Sequence, residues 1–413
     1  MKVLLLNQAF YPDVVSSAQH AGDLARELSA EGHQVTVLAS RRAYDDRKVQ
    51  FSAREEWHGV RVIRVAGTAL GKSAKWRRAM DFGTYLVVCF IRLLSFPRFD
   101  VVVAMSSPPL LSVLAAAFVR LRGGRLFLWV MDLNPDEAVA AGWLGESSPI
   151  TRVLEAFLRG SLRRADSIAV LDRFMLKRLL AKGVNEGKVR VIPPWAHNKA
   201  VFYDHNGRKA FREKHGLAGK YVVMYSGNHS PCHPLETLLR AAQRLVGSSQ
   251  IVFCFAGGGS EFEKVQAFAK AEGLQNIVCV PYQPLGELSA SLSAADLHVV
   301  VMGEPFVGIV HPCKIYNILT LGIPLLYIGP PQSYVVDILP PDAIGRWAYL
   351  ARHGEVDNVS EQILAACGTG IGGHYTVETE LGAKFAQDDL VPKIADFVLG
   401  SESWVQHEPS RVS

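Results

Sequence analysis

The chain has 413 residues, 49% hydrophobic and 20% charged, with a mean hydropathy of +0.13. That balance supplies two sizeable apolar cores, so two α/β domains are expected and a disordered chain is excluded. A net charge of +5, with no basic stripe interleaved with aromatics, argues against nucleic-acid binding.

The six cysteines, Cys89, Cys232, Cys254, Cys279, Cys313 and Cys367, contain no C-x-x-C pair. They read as reduced thiols of a cytoplasmic protein, neither a disulfide frame nor a zinc site. The apolar run in MKVLLLNQ is too short for a secretory leader and reads as a first strand.

Strand Lys2 to Leu6, a polar loop, a helix carrying Ala21, Leu24, Ala25 and Leu28, and strand Val35 to Leu38 make a first βαβ unit. Beyond Leu70 the character changes. Lys72, Lys75, Arg77 and Arg78 precede an apolar helix from Tyr85 to Phe96 that Gly83, Thr84 and Arg92 make too interrupted to span a bilayer. Residues 72–96 suit peripheral contact with an anionic membrane, and equally an ordinary packed helix with a solvated entry. Strand Val101 to Ala104, helix Leu110 to Leu121 and strand Leu126 to Val130 follow, delivering Asp132 to a strand's carboxyl end, where open α/β sheets place their ligands. After further elements to Ile192, the polar run Ala196 to Lys220 is expected as the interdomain connection, with a boundary near Lys199.

The second half opens with strand Tyr221 to Tyr225, a loop holding Gly227, Asn228, His229 and His233, and helix Leu235 to Leu245. Strand Ile251 to Ala256 runs into Gly257-Gly258-Gly259. Strand Ile277 to Val280 precedes Tyr282, and a helix from Leu285 to Ala294 leads to a strand ending in Val299, Val300 and Val301. Next comes a loop with Gly303, Glu304 and Gly308, a helix from near Pro312 to Gly322, and strand Leu325 to Ile328. Lys314 sits in that helix's first turn, where the dipole and an ammonium can meet one anion. Helices are also expected near Ser360 to Ala366 and Leu390 to Leu399.

Pro312-x-Lys314-x-Tyr316, then Leu319-x-x-Gly322-x-Pro324 before an apolar strand, resembles the nucleotide-sugar corner of the family 4 retaining glycosyltransferases. The likeness is to the bacterial branch that builds capsule, O-antigen and other exopolysaccharides. Tyr11-Pro12-Asp13, Gly32-His33-Gln34-Val35-Thr36-Val37 and Asp132-Leu133-Asn134-Pro135 are similar to further segments of that family. The resemblance implies the GT-B fold, two Rossmann-like domains facing across a cleft. Here these are residues 1–198 on the acceptor side, 199–385 on the nucleotide-sugar side, and 386–413 as a helix and tail returning to the first domain, with Trp404 as an anchor. It implies a cytoplasmic enzyme moving a sugar, with retention at the anomeric carbon, from a nucleotide diphosphate sugar to a lipid-linked or glycan acceptor, with no metal or cofactor beyond the donor.

Under that resemblance Asp132 orients or deprotonates the acceptor hydroxyl, or else only caps its turn. Gly227, Asn228, Gly308 and Lys314 fall to the donor's diphosphate, His229 or His233 is expected to join them or else both only cap the loop, and Tyr282 stands beside the place for the nucleobase. Many members carry an Arg and a Lys where this chain has Asn228 and His233, and two glutamates where it has Ile309 and Asn317. Asn317 can still bond a ribose, and Glu304 can stand in at the sugar. Two other readings stay open: a nucleotide-sugar 2-epimerase of the same fold, and a catalytically silent subunit supporting a partner transferase.

Overall fold

The computed structural model describes residues 1–13, 15–43, 49–68, 70, 75–196, 201–368 and 379–401. It forms two compact α/β units: Met1–Pro194 with the chain from Asp388 onward, and Trp195–Gln387. Lys199 and Trp404 lie outside the described residues; the chain passes between units at Pro194–Trp195 and returns at Gln387–Asp388.

In the first unit the strands are β1 (Lys2–Leu6), β2 (Gln34–Ser40), β3 (Arg54–Trp57), β4 (Val60–Val65), β5 (Val101–Met105), β6 (Arg125–Val130), β7 (Ser167–Val170) and β8 (Val189–Val191). They pair in the order β3-β4-β2-β1-β5-β6-β7-β8, all parallel except β3 against β4. Every residue of β5 and all but the first of β1 and β6 is buried, as a parallel sheet covered on both faces requires. The short hairpin of β3 and β4 carries too few apolar residues on β3 to stand out in the sequence.

The second unit contains β9 (Tyr221–Asn228), β10 (Ile251–Gly258), β11 (Ile277–Val280), β12 (Leu297–Val301), β13 (Leu325–Ile328) and β14 (Ala348–Ala351), ordered β11-β10-β9-β12-β13-β14 and parallel throughout. Alternation along β9 and β10 divides the core in two. Tyr221, Val223, Tyr225, Phe253 and Phe255 pack on one face, beneath helices Glu236–Arg244 and Val356–Gly368. Val222, Met224, Val252 and Cys254 pack on the other with Phe211 and Leu292.

The polar run expected as a connection contains a helix, His205–Lys214. Its Asp204 side chain caps the start by accepting from the Gly207 N–H (2.8 Å). Arg208 and Arg212 then reach the buried Asp296 carboxylate, Arg212 at 2.6 Å. Burial lowers the Arg212 guanidinium from its ordinary value, against the pull of Asp296. The Asn, His, Lys and Gly content made the segment read as linker, whereas Arg208 and Arg212 fasten a helix to the start of β12.

The last helix, Gln387–Leu399, begins three residues before its expected start and packs on the first unit. Leu390, Val391, Ile394, Ala395 and Val398 are buried, the Phe397 and Phe127 rings meet edge to face at 5.2 Å, and Arg125 donates to the Leu399 carbonyl (2.6 Å).

Candidate functional site

Among the parallel strands of each sheet the order reverses once, and open α/β sheets bind their ligands at the carboxyl ends of the strands on either side of such a point. In the second sheet the reversal lies between β9 and β12, and most of the sequence-derived residues gather near it.

Strands β9 and β10 run further than expected, because Gly227 and Gly257 stay paired in the ladder. Their lack of side chains is what permits this. Gly257 lies at φ +136°, and a Cβ there would fall 2.1 Å from the Gly227 carbonyl oxygen. At Gly227 (φ +119°), a Cβ would meet Lys314 Cε and Nζ at 3.5 Å.

Lys314 opens the helix Lys314–Leu321, whose start no side chain caps and whose end turns at Gly322 in the left-handed conformation. Its Nζ is buried, lies 3.5 Å from the centre of the Tyr225 ring, and has no hydrogen-bond partner among the described residues. Burial lowers this lysine to about 7. The fixed cation read from the sequence therefore sits where burial weakens its hold on the proton. Sequence reasoning missed Tyr225, the aromatic platform beneath it; the only signal was an aromatic immediately before the polar-glycine loop.

His229 and His233 flank the same ring, with centroids 4.8 and 6.5 Å from that of Tyr225. His229 Nδ1 lies 2.9 Å from the Gly227 carbonyl oxygen and His233 Nδ1 lies 2.7 Å from that of Val301. A carbonyl only accepts, so each Nδ1 carries the proton and each Nε2 presents a lone pair. Burial, then the Lys314 charge, lowers His229 to about 4 and His233 to about 3. As neutral rings they offer an incoming phosphate no Nε2 donor, and His229 is wholly enclosed.

Of the other expected residues, Asn228 is exposed and its carbonyl accepts from the Tyr225 hydroxyl (3.0 Å). Tyr282 is half-exposed, with its ring edge 2.9 Å from where a Gly258 Cβ would stand. Glu304 is exposed at the head of a short turn, and Gly308 takes φ +70°. Asn317 lies one turn beyond Lys314 on the same helix, partly buried. Ile309 is buried and its N–H is spent on the Phe306 carbonyl (2.9 Å).

Asp132 belongs to the first unit, just beyond β6. The Ser106 hydroxyl, beyond β5, accepts from the N–H groups of Met131 (3.0 Å) and Asp132 (2.9 Å) and fixes the turn. Burial, with Glu137 nearby, pushes the Asp132 carboxyl up to about 7. It lines a small pocket with Ser106, Asn134, Leu110 and Leu158. Asp136 is instead engaged with Lys182 (2.9 Å). A partly buried carboxyl that titrates near neutrality can exchange a proton with a hydroxyl.

Two family models match: "Glycosyl transferase 4-like domain" over residues 17–195 and "Glycosyl transferases group 1" over residues 207–326. A protein of Escherichia coli named for colanic acid biosynthesis as a glycosyl transferase, WcaI, is 26% identical over 343 residues, covering 78% of this chain and 82% of its own. Among solved structures, sucrose-phosphate synthase of Thermosynechococcus elongatus superposes with a TM-score of 0.76 at 14% identity, over 97% of this chain and 98% of that one. Anabaena HepE in complex with UDP-glucose gives 0.70 at 13%, over 97% and 100%.

Proposed function

The chain belongs to the family 4 glycosyltransferases of the GT-B fold, and from that premise we propose that it transfers a sugar from a nucleotide diphosphate sugar to a lipid-linked or glycan acceptor. The reading places it in cell-surface polysaccharide synthesis, in the cytoplasm, with retention at the anomeric carbon. One observation carries the donor assignment: the buried, unpartnered Lys314 Nζ beside the glycines at the second sheet's switch point. The bound UDP-glucose of HepE and the colanic acid role in WcaI's name support the donor class and the product class.

In this mechanism the diphosphate is the ligand that Lys314 lacks. The ammonium and the uncapped helix start stabilise the charge that grows on the departing nucleoside diphosphate, with no metal invoked. Asn317 addresses the ribose, and Tyr282 the base. His233, as a neutral acceptor, suits a hydroxyl of the donor better than its phosphate. On the first unit, Asp132 takes or orients the acceptor hydroxyl's proton.

The test is incubation with labelled nucleotide sugars and a lipid extract, following label into lipid or glycan and release of nucleoside diphosphate. Acceptor-dependent transfer that Asp132→Asn lowers about 100-fold or more is expected. Nucleoside diphosphate and an epimerised free sugar without any acceptor would mark a 2-epimerase. Inertness toward every donor would mark a silent subunit.

A further inference from the structure

Helix Lys75–Leu94 is apolar on two sides. One face turns Asp81, Tyr85, Cys89 and Leu93 into the first unit's core. The other carries Val87, Phe90, Ile91 and Leu94, spaced i, i+3, i+4 and i+7 and each between 42% and 60% exposed. Isolated exposed apolar side chains are ordinary, but a second complete stripe on one helix is not. Helix Pro149–Arg164 repeats the pattern with Ile150, Val153 and Phe157, each at least 50% exposed. Helix Leu111–Arg122 packs against both. Phe90, Leu94 and its own Leu121 line one groove, and its Ser112 hydroxyl bonds that of Ser161 (3.0 Å).

The charge on these helices has one sign. Arg77, Arg120, Arg122, Arg152, Arg159 and Arg163 are exposed. The helices' only acids are Asp81 and Glu155. Asp81 is buried and accepts from the Thr68 hydroxyl (2.8 Å) and the Leu70 N–H (2.9 Å); Glu155 is paired with Arg159 and Lys182. No described helix is long and apolar enough to cross a membrane.

We propose that helices Lys75–Leu94 and Pro149–Arg164 form a docking face for an anionic lipid surface. Apolar stripes rimmed by arginines match the headgroup boundary of such a bilayer, where the rings and aliphatic chains sink and the guanidinium groups meet lipid phosphates. A second copy of this chain pressed on the same face would set arginines against arginines. The basic entry read from the sequence contributes Arg77, while Lys72 lies outside the described residues. The contact from helix Pro149–Arg164 was not expected from the sequence. This inference rests on the proposed function only for what the docking serves, namely reach to an acceptor held in a membrane.

The experiment is co-sedimentation of the full chain with vesicles of phosphatidylcholine alone or with about one-third phosphatidylglycerol. The wild-type protein pellets with the anionic vesicles and not the neutral ones, and raising salt from about 0.05 M to about 0.5 M releases it. Val87→Ser with Ile91→Ser, and separately Val153→Ser with Phe157→Ser, each weaken vesicle binding by roughly tenfold while melting and circular dichroism stay as in the wild type. Three results overturn the proposal: no pelleting with anionic vesicles, pelleting indifferent to both double variants, or self-association that the variants abolish without vesicle binding. The last would assign the face to a second copy. No donor or acceptor enters this assay, so its failure leaves the proposed transferase standing. A protein that pellets but is inert toward every nucleotide sugar fails that function alone.

Discussion

Lys314 is held where burial makes its charge costly, so under the proposed function its proton reports donor binding. Its folded value of about 7 lies below the ordinary 10.5. Between those values the unfolded chain holds the proton and the folded one does not, so the free protein gains stability as pH rises from about 7 to about 10.5. Lys314→Met removes that gain, as melting curves across the window will show. A bound diphosphate restores the ammonium, so calorimetry at pH about 8 in buffers of different ionisation enthalpy will register proton uptake on donor binding. Asp132 behaves in the opposite sense. Its folded value of about 7 lies above the ordinary 3.8, so it contributes stability below about pH 4 that is lost as pH rises through 7. In the proposed mechanism it must be ionised to accept a proton, and the acceptor-dependent rate is expected to climb through an apparent value near 7 that Asp132→Asn abolishes.

Among the elements, the paired strands β9 and β10 carry the most demanding backbone. Gly257→Ala drives a methyl into the Gly227 carbonyl at an unfavourable φ and is expected to cost about 3 kcal/mol or more in denaturant unfolding. Gly160→Ala is the contrasting case: nothing lies within 4 Å of the added methyl in helix Pro149–Arg164, and a gain of about 0.5–1 kcal/mol is expected. Asp296→Ala strands two largely buried guanidinium groups and should cost about 3–5 kcal/mol. Strands β1, β11 and β13 were legible to the residue, because continuous apolar runs between turn residues admit little else. The helix His205–Lys214 was not legible, since what holds it is a buried ion-pair cluster with a residue 84 positions or more away in sequence. At the site, the loop glycines and Lys314 could be read from spacing. The neutral, carbonyl-bonded state of His229 and His233 could not, because it depends on Val301 and on strand pairing.

At the scale of the molecule, the chain builds one α/β unit, crosses to a second, and returns to finish the first with helix Gln387–Leu399. Ile394 is fully buried there, so Ile394→Ala is expected to destabilise the first unit by about 2–5 kcal/mol. The family and the two-sheet architecture were visible in the sequence through motifs at strand ends, where topology concentrates function. The exposed stripes on the first unit were only half visible, since which side of an apolar helix faces the core is decided by its neighbours. The most direct test of the donor assignment is a thermal-shift panel of nucleoside diphosphates and their sugars on the wild-type protein and on Lys314→Ala. Stabilisation by one nucleotide sugar, with its affinity reduced roughly tenfold to a hundredfold by the substitution, is the predicted result. Equal stabilisation of both proteins would place the donor elsewhere, and no stabilisation of the wild type by any nucleotide would contradict a donor site in this chain.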